Sequence, residues 1–415
     1  MSTKQWISVC ITGCLMAGLS AVPAAADVVT EWNAIALTAV AAGHPGPAGI
    51  LDLAMVQIAV HDAIQAYQGR FESYNAPILG ASGSPLAAAA TAARDVLLSR
   101  VPSQGATVQA AWLANLASHG LLPTDDGVAV GQQAAINIIQ RRANDGSFPA
   151  NPEVFTGSTA IGRWRPTPPA FAPMANPWMG AVPPFALKDS EGVLPEPPPP
   201  QLTSGAYAKA YNEVKALGRR TNSARTAEQT DIGFFYSDNF LSQLNRAVQA
   251  IAIAHVTDIG DSARLFALAN IAGADAIISA WNTKKQYVLW RPSTAILAGD
   301  ADDNAATDAD SGWLPLINDP PYPDYTSGAN SITNAFMRTL GLYFGDDAFT
   351  FSLTTNVAQA VKKVRTYSRF SDVAADVVEA RIYLGIHFRF ADAVGRRHGK
   401  QAAERAFSQF LRPVS

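Results

Sequence analysis

The chain has 415 residues, 48% hydrophobic and only 16% charged, with a formal net charge of −3. That is enough for two domains or one large helical one, with ample material for a core. Basic residues never run beyond pairs, up to and including Arg396-Arg397, which excludes the electrostatic footprint of a nucleic-acid binder.

The N-terminus reads as an export signal over residues 1–26. Lys4 supplies the positive region, Trp6 to Val22 is mostly apolar, and Ala24-Ala25-Ala26 forms a small-residue cleavage site. The expected product is exported, to the periplasm or the extracellular medium. Both cysteines, Cys10 and Cys14, fall inside that signal, so a processed chain would carry none. Ile11-Thr12-Gly13-Cys14 loosely resembles a lipoprotein box, but the apolar run continues eight residues past it. No later run of about 20 uninterrupted apolar residues follows, so no membrane span is expected.

Residues 27–163 form an alanine-rich N-terminal helical region. The run Leu51 to Ile64 suits a buried helix, and 85–100, 106–118 and 126–143 repeat the pattern between Pro102, Gly120 and Pro123. Prolines then cluster. The segment 164–203, ending in Pro197 to Pro200, cannot be helix and is expected to run extended across the surface. Its Trp164, Phe171, Trp178 and Phe185 are expected to pack against the body. Helical patterns resume at 204–218, 226–241, 244–256, 261–281, 329–344, 353–367, 371–388 and 391–411. Strand-like alternation is scarce, so the fold class is all-α, with 204–415 as a second helical bundle.

Three segments carry chemistry. Lys284 and Arg291 are seven residues apart, which on one helix gives them a shared face. Pro292 is expected to end that helix with Arg291 at its terminus. Arg381 and His387 are six apart, on different flanks of an ideal helix, so Gly385 or the reach of arginine must bring them together. Thr326-Ser327-Gly328-Ala329-Asn330 reads as a helix start, with a hydroxyl and bare amides open to an anion. Most lone cations in helices are simply solvated, and a lone histidine is most often a core residue bonded to a carbonyl. Four basic groups beside a helix N-terminus make a pocket for a tetrahedral or trigonal-bipyramidal oxyanion instead.

These segments resemble the superfamily joining vanadium-dependent haloperoxidases with type 2 phosphatidic acid phosphatases and bacterial acid phosphatases. Its signature is Lys, six residues, Arg-Pro; then Pro-Ser-Gly-His; then Arg, five residues, His. The first motif is complete in Lys284 to Pro292 and the third in Arg381 to His387, whereas the second reads Thr326-Ser327-Gly328-Ala329. Trp281 and the run Pro320 to Tyr325 look like the haloperoxidase branch.

The resemblance implies helical bundles and vanadate as cofactor, with phosphate as a competing occupant. It makes His387 the vanadium ligand in a peroxidase or the phosphorylated nucleophile in a phosphatase. Both roles need a neutral imidazole, which neighbouring arginines favour. Lys284, Arg291, Ser327, Gly328 and Arg381 would hold the equatorial oxygens, with Trp281 and Tyr322 on the halide side. Ala329 stands where the family has its acid/base histidine. General acid catalysis contributes roughly 10²–10⁴-fold, so the loss weighs most against a phosphatase.

The expected function is therefore a vanadate-dependent (halo)peroxidase using hydrogen peroxide. The alternatives are a secreted acid phosphatase working through a phosphohistidine, and a non-catalytic phosphate or vanadate binder. Expected partners are small molecules (peroxide, halide or a phosphate ester), with neither nucleic acid nor a membrane span; an apolar bundle of this kind also suits a homodimer. His255 and His398 could stand in for the missing histidine, and Asp238 could pair with one of the arginines of the pocket. His61-Asp62 reads as a buried structural pair. The acidic loop Asp300 to Asp310 lacks the central glycine and closing glutamate of a calcium loop and reads as solvated.

Overall fold

A computed structural model of the chain describes residues 26–187 and 197–414. Except for Ala26, the expected export signal lies outside the described residues, as do both cysteines. The fold is all-α, with one small antiparallel hairpin among the described residues. In chain order the helices are α1 (Val28–Gly43), α2 (Gly49–Gln68), α3 (Pro85–Arg100), α4 (Gly105–Ser118) and α5 (Gly127–Arg142). After the proline-rich stretch come α6 (Gly205–Leu217), α7 (Ala227–Phe235), α8 (Phe240–His255), α9 (Ile259–Tyr287) and α10 (Pro292–Leu297). The chain closes with α11 (Gly328–Phe344), the hairpin β1 (Ala348–Thr354) and β2 (Val364–Arg369), α12 (Phe370–Tyr383) and α13 (Arg389–Gln409).

The central element is α9. Asp258 caps it by accepting from the amides of Gly260 and Asp261, which satisfies donors that have no partner inside the helix. From Gly260 to Lys284 the helix is buried on nearly every side, so it is apolar all round rather than striped. It is the one described helix long and apolar enough to cross a membrane, and its apolar window is wholly buried inside the protein. Helices α2, α11 and α13 pack directly on it, so one core runs from α1 to α13. A smaller cluster of Tyr207, Tyr211, Trp290, Trp313, Tyr325 and Phe388 lies beside it.

The proline-rich stretch is fastened to α9 rather than merely draped over it. Asp275 of α9 accepts from the amides of Phe185, Ala186 and Leu187 at 2.6, 2.8 and 3.0 Å. Burial pushes its carboxyl up to about 6, and the three amides pull the other way. Trp164 and Phe185 are buried, as the sequence suggests, but Phe171 is 63% exposed and contributes little.

Two local expectations are corrected. Residues 353–367 are not helical: Ala348–Thr354 and Val364–Arg369 pair as strands, with Phe351 opposite Tyr367. The run Phe349-Thr350-Phe351-Ser352-Leu353 alternates with period two and is rich in strand formers, which overrides the weaker helical pattern. The helix expected over 371–388 stops at Tyr383, and Gly385 turns the chain at a φ of +79°. A Cβ there would meet the Gly218 carbonyl oxygen at 2.5 Å, so both the conformation and the space require glycine.

Gly385→Ala should therefore destabilise the fold by about 1–3 kcal/mol. Denaturant unfolding checks this, and an unchanged midpoint would show that neither the left-handed turn nor the contact with Gly218 matters.

Candidate functional site

The site forms where three chain breaks meet: the end of α9, the loop leading into α11, and the loop between α12 and α13. Helix α9 does not run through to Arg291, as the sequence spacing suggested. It ends at Tyr287, Val288 takes a left-handed conformation at φ +48°, and Pro292 opens α10 rather than closing a helix. A β-branched residue rarely adopts that conformation, so its surroundings must hold it there. They do so with backbone bonds: Trp164 N–H donates to Val288 O, Trp290 N–H to Gly162 O, and Asp324 N–H to Leu289 O. Lys284 and Arg291 thus reach one place from two elements.

Lys284, Arg291, Arg381 and His387 are all buried, and they lie close enough for all three cations to act on the imidazole. Lys284 Nζ donates to the carbonyls of Pro323 and Asp324 at 2.6 and 3.0 Å. Arg291 Nε donates to Tyr322 O at 2.8 Å, and its Nη1 to Ile386 O at 2.6 Å. The same Nη1 lies 3.2 Å from His387 Nε2 and 3.5 Å from Nδ1. Both Lys284 Nζ and the Arg291 guanidinium sit over the Tyr322 ring, about 5 Å from its centre. Arg291 Nη2 and Arg381 Nε have no hydrogen-bond partner among the described residues. Buried donors of this kind are costly unless an acceptor reaches them.

Ser327 caps α11, with its hydroxyl a long 3.5 Å from the Asn330 amide. That hydroxyl also bonds buried Asp392, to which Asn330 Nδ2 donates at 2.8 Å. Gly328 and Ala329 begin the helix, where no intrahelical acceptor reaches their amides. A Cβ on Gly328 would lie 2.9 Å from Trp281, so glycine lets the helix start close against that ring.

Sequence reasoning missed two carboxylates. Asp324 and Asp392 are fully buried within the cluster, and His387 Nδ1 lies 2.5 Å from Asp324 Oδ1. That contact is close in distance but lacks hydrogen-bond alignment, so neither Asp324 oxygen has an aligned donor. The available signal was the acidic residue inside the Pro320 to Tyr325 run, three positions before Ser327.

Burial dominates the electrostatics. Desolvation, then Arg291, Lys284 and Arg381, hold His387 well below its ordinary value, so the imidazole is neutral. Desolvation and Arg291 likewise lower Lys284. Burial pushes Asp324 up to about 7 and Asp392 well above the usual carboxylate range. The carboxylates therefore offset the cations only in part near neutral pH. A unit pair about 4 Å apart interacts by roughly 4 kcal/mol at an effective dielectric of 20. An entering oxyanion gains on that scale.

Beside the cluster lies a cavity of about 250 Å³, reached by Arg381, Trp281, Tyr322, Gly328 and Ala329. The Trp281 and Tyr322 rings are 4.8 Å apart on its wall. Asp238 lines it too but pairs with Arg246 rather than with an arginine of the cluster. Asp62 and His61 are both buried and bond the 72–75 backbone, not each other. Asp308 and Asp310 of the acidic loop pair with Lys215 and Arg219.

Residues 264–415 match the family model of the VCPO second helical-bundle domain. The vanadium chloroperoxidase of Curvularia inaequalis is 25% identical over 266 residues, covering 48% of this chain and 43% of that relative. The match thus spans less than half the relative's length. A bacterial vanadium-dependent iodoperoxidase structure superposes with a TM-score of 0.77 at 23% identity, over 92% of this chain and 97% of the other. A holo-type bacterial vanadium-dependent chloroperoxidase gives 0.73 at 16% identity, over 94% and 98%. At these identities the structures establish the fold.

His387, and His61, which burial lowers to about 4, should both stay neutral in the folded chain at pH 6. Each is lowered by folding, so its contribution to stability is complete above the ordinary value of about 6.5 and is lost as pH falls below it. For His61 the loss spans about 6.5 down to about 4. A histidine NMR titration checks this, and a midpoint near 6.5 for either ring would contradict the burial argument.

Proposed function

With a second bundle of the vanadium haloperoxidase superfamily set in an all-α haloperoxidase fold as premise, we propose that the chain is a vanadate-dependent (halo)peroxidase using hydrogen peroxide. The observation that carries this reading is the convergence of unpartnered Arg291 Nη2 and Arg381 Nε with a neutral imidazole beside the start of α11. That donor set fits vanadate: cations and amides for its oxygens, and a nitrogen lone pair for the metal.

When bound, vanadate would supply Lewis-acid activation of peroxide. The chain's own residues do the rest. His387 offers a nitrogen ligand that need not lose a proton first. Lys284, Arg291 and Arg381 hold the oxyanion charge, and the first amides of α11 add donors that need no reorganisation. Burial keeps water out of the cluster, while the cavity beside Arg381 admits small substrates against Trp281 and Tyr322. Phosphate competes for the same donors. The proposal extends to an exported, periplasmic or extracellular protein acting on small molecules, without a nucleic-acid partner or membrane span and with a homodimer as its assembly.

Ala329 supports a second reading, a phosphate or vanadate binder without turnover. It lines the cavity with a methyl group where the superfamily places its acid/base histidine. The same residue weighs against a phosphohistidine phosphatase, which must protonate its leaving group.

Bromide or iodide oxidation by the purified chain, with peroxide, should depend on added vanadate and disappear in His387→Ala. Tight vanadate binding without turnover would select the binder reading. Ala329→His should raise hydrolysis of a phosphomonoester by roughly 10²-fold or more. A rate unchanged by that substitution would show that the missing acid is not what limits phosphatase chemistry here.

A further inference from the structure

We propose that Asp324 is a positioning residue for His387: its carboxylate takes the Nδ1 proton of the imidazole, so that the lone pair of Nε2 faces the oxyanion site. The inference rests on the reading of His387 as the vanadate ligand, and it deepens that reading.

Two neighbours constrain the ring independently. A guanidinium has five donors and no acceptor, so the ring nitrogen it approaches must offer a lone pair. Arg291 Nη1 is nearer Nε2, at 3.2 Å, than Nδ1, at 3.5 Å. An ionised carboxylate only accepts, so the nitrogen it approaches must carry the proton. Asp324 Oδ1 lies 2.5 Å from Nδ1. A neutral imidazole has one nitrogen of each kind, and both constraints select the same tautomer.

Asp324 is also built to stay in place. Its amide donates to Leu289 O at 3.0 Å, and its carbonyl accepts from Lys284 Nζ at 3.0 Å. The side chain is fully buried, and neither carboxylate oxygen has an aligned donor among the described residues. Alignment on Nδ1 needs only the broad terminal torsions of aspartate and histidine. Metal-ligating histidines are commonly oriented by a carboxylate on the opposite nitrogen, and removing such a partner typically costs 10–100-fold in metal affinity. Asp324 also lies on the loop that delivers Ser327, so one segment sets both the ligand's tautomer and the start of α11.

The test reads the tautomer directly, without vanadate. Long-range ¹H–¹⁵N spectra of the ¹⁵N-histidine-labelled chain are recorded above pH 7, beyond the value of about 7 to which burial pushes Asp324. The wild-type chain should show His387 protonated at Nδ1 and bare at Nε2. Asp324→Asn, whose amide can donate toward Nδ1, should shift the proton to Nε2 and raise the vanadate dissociation constant roughly 10–100-fold. Asp324→Ala should give a mixture of tautomers. A wild-type ring protonated at Nε2 would overturn the proposal even if neither variant folds, as would an unchanged tautomer in both variants. The expected tautomer in a chain that binds no vanadate would support the positioning role and overturn the function proposed above.

Discussion

The structure turns on the desolvation of like charges. Lys284, Arg291 and Arg381 are all buried and share one small region with His387. Isolated buried charges cost several kcal/mol each, so such a cluster persists only where anions, carbonyls and amides compensate it. Carbonyls of Tyr322, Pro323, Asp324 and Ile386 take up donors of Lys284 and Arg291, and Asp324 adds a partial negative charge. The remaining unpartnered donors, Arg291 Nη2 and Arg381 Nε, are the ones the proposed oxyanion would satisfy. The same desolvation keeps His387 neutral, so one physical cause shapes both the cation cluster and the imidazole beside it.

The fold exists to hold that compromise. A long, thoroughly buried α9 carries Lys284 on its last turn, and backbone bonds from Gly162, Trp164 and Asp324 pin residues 288–290, which carry the chain from the left-handed Val288 to Arg291. The loop from Tyr322 to Ser327 lies between them, supplying carbonyls to the cations and a cap to α11. Gly385 turns the chain so that Arg381, on α12, and His387, beyond it, converge.

Much of this was legible in the sequence. Helical period and proline placement gave the all-α class and most helix positions to within a few residues. The Lys284–Arg291 and Arg381–His387 spacings singled out the cluster. Three things were not legible, for physical reasons. One was the break at Val288, because it is imposed by tertiary hydrogen bonds on a residue that does not favour it. Another was the burial of Asp324, because a carboxylate in a polar-looking loop gives no sign of burial until the loop is seen folded against cations. The hairpin at 348–369 was missed because a short strand alternation competes poorly with a helical pattern read over a longer window.

The central claim is that the buried cations form an oxyanion site, and vanadate titration calorimetry on the wild-type chain and on Lys284→Ala tests it most directly. A single site is expected in the wild-type chain, competed by phosphate and lost when the Lys284 side chain is removed. Vanadate binding of unchanged affinity in Lys284→Ala would place the anion elsewhere and contradict it.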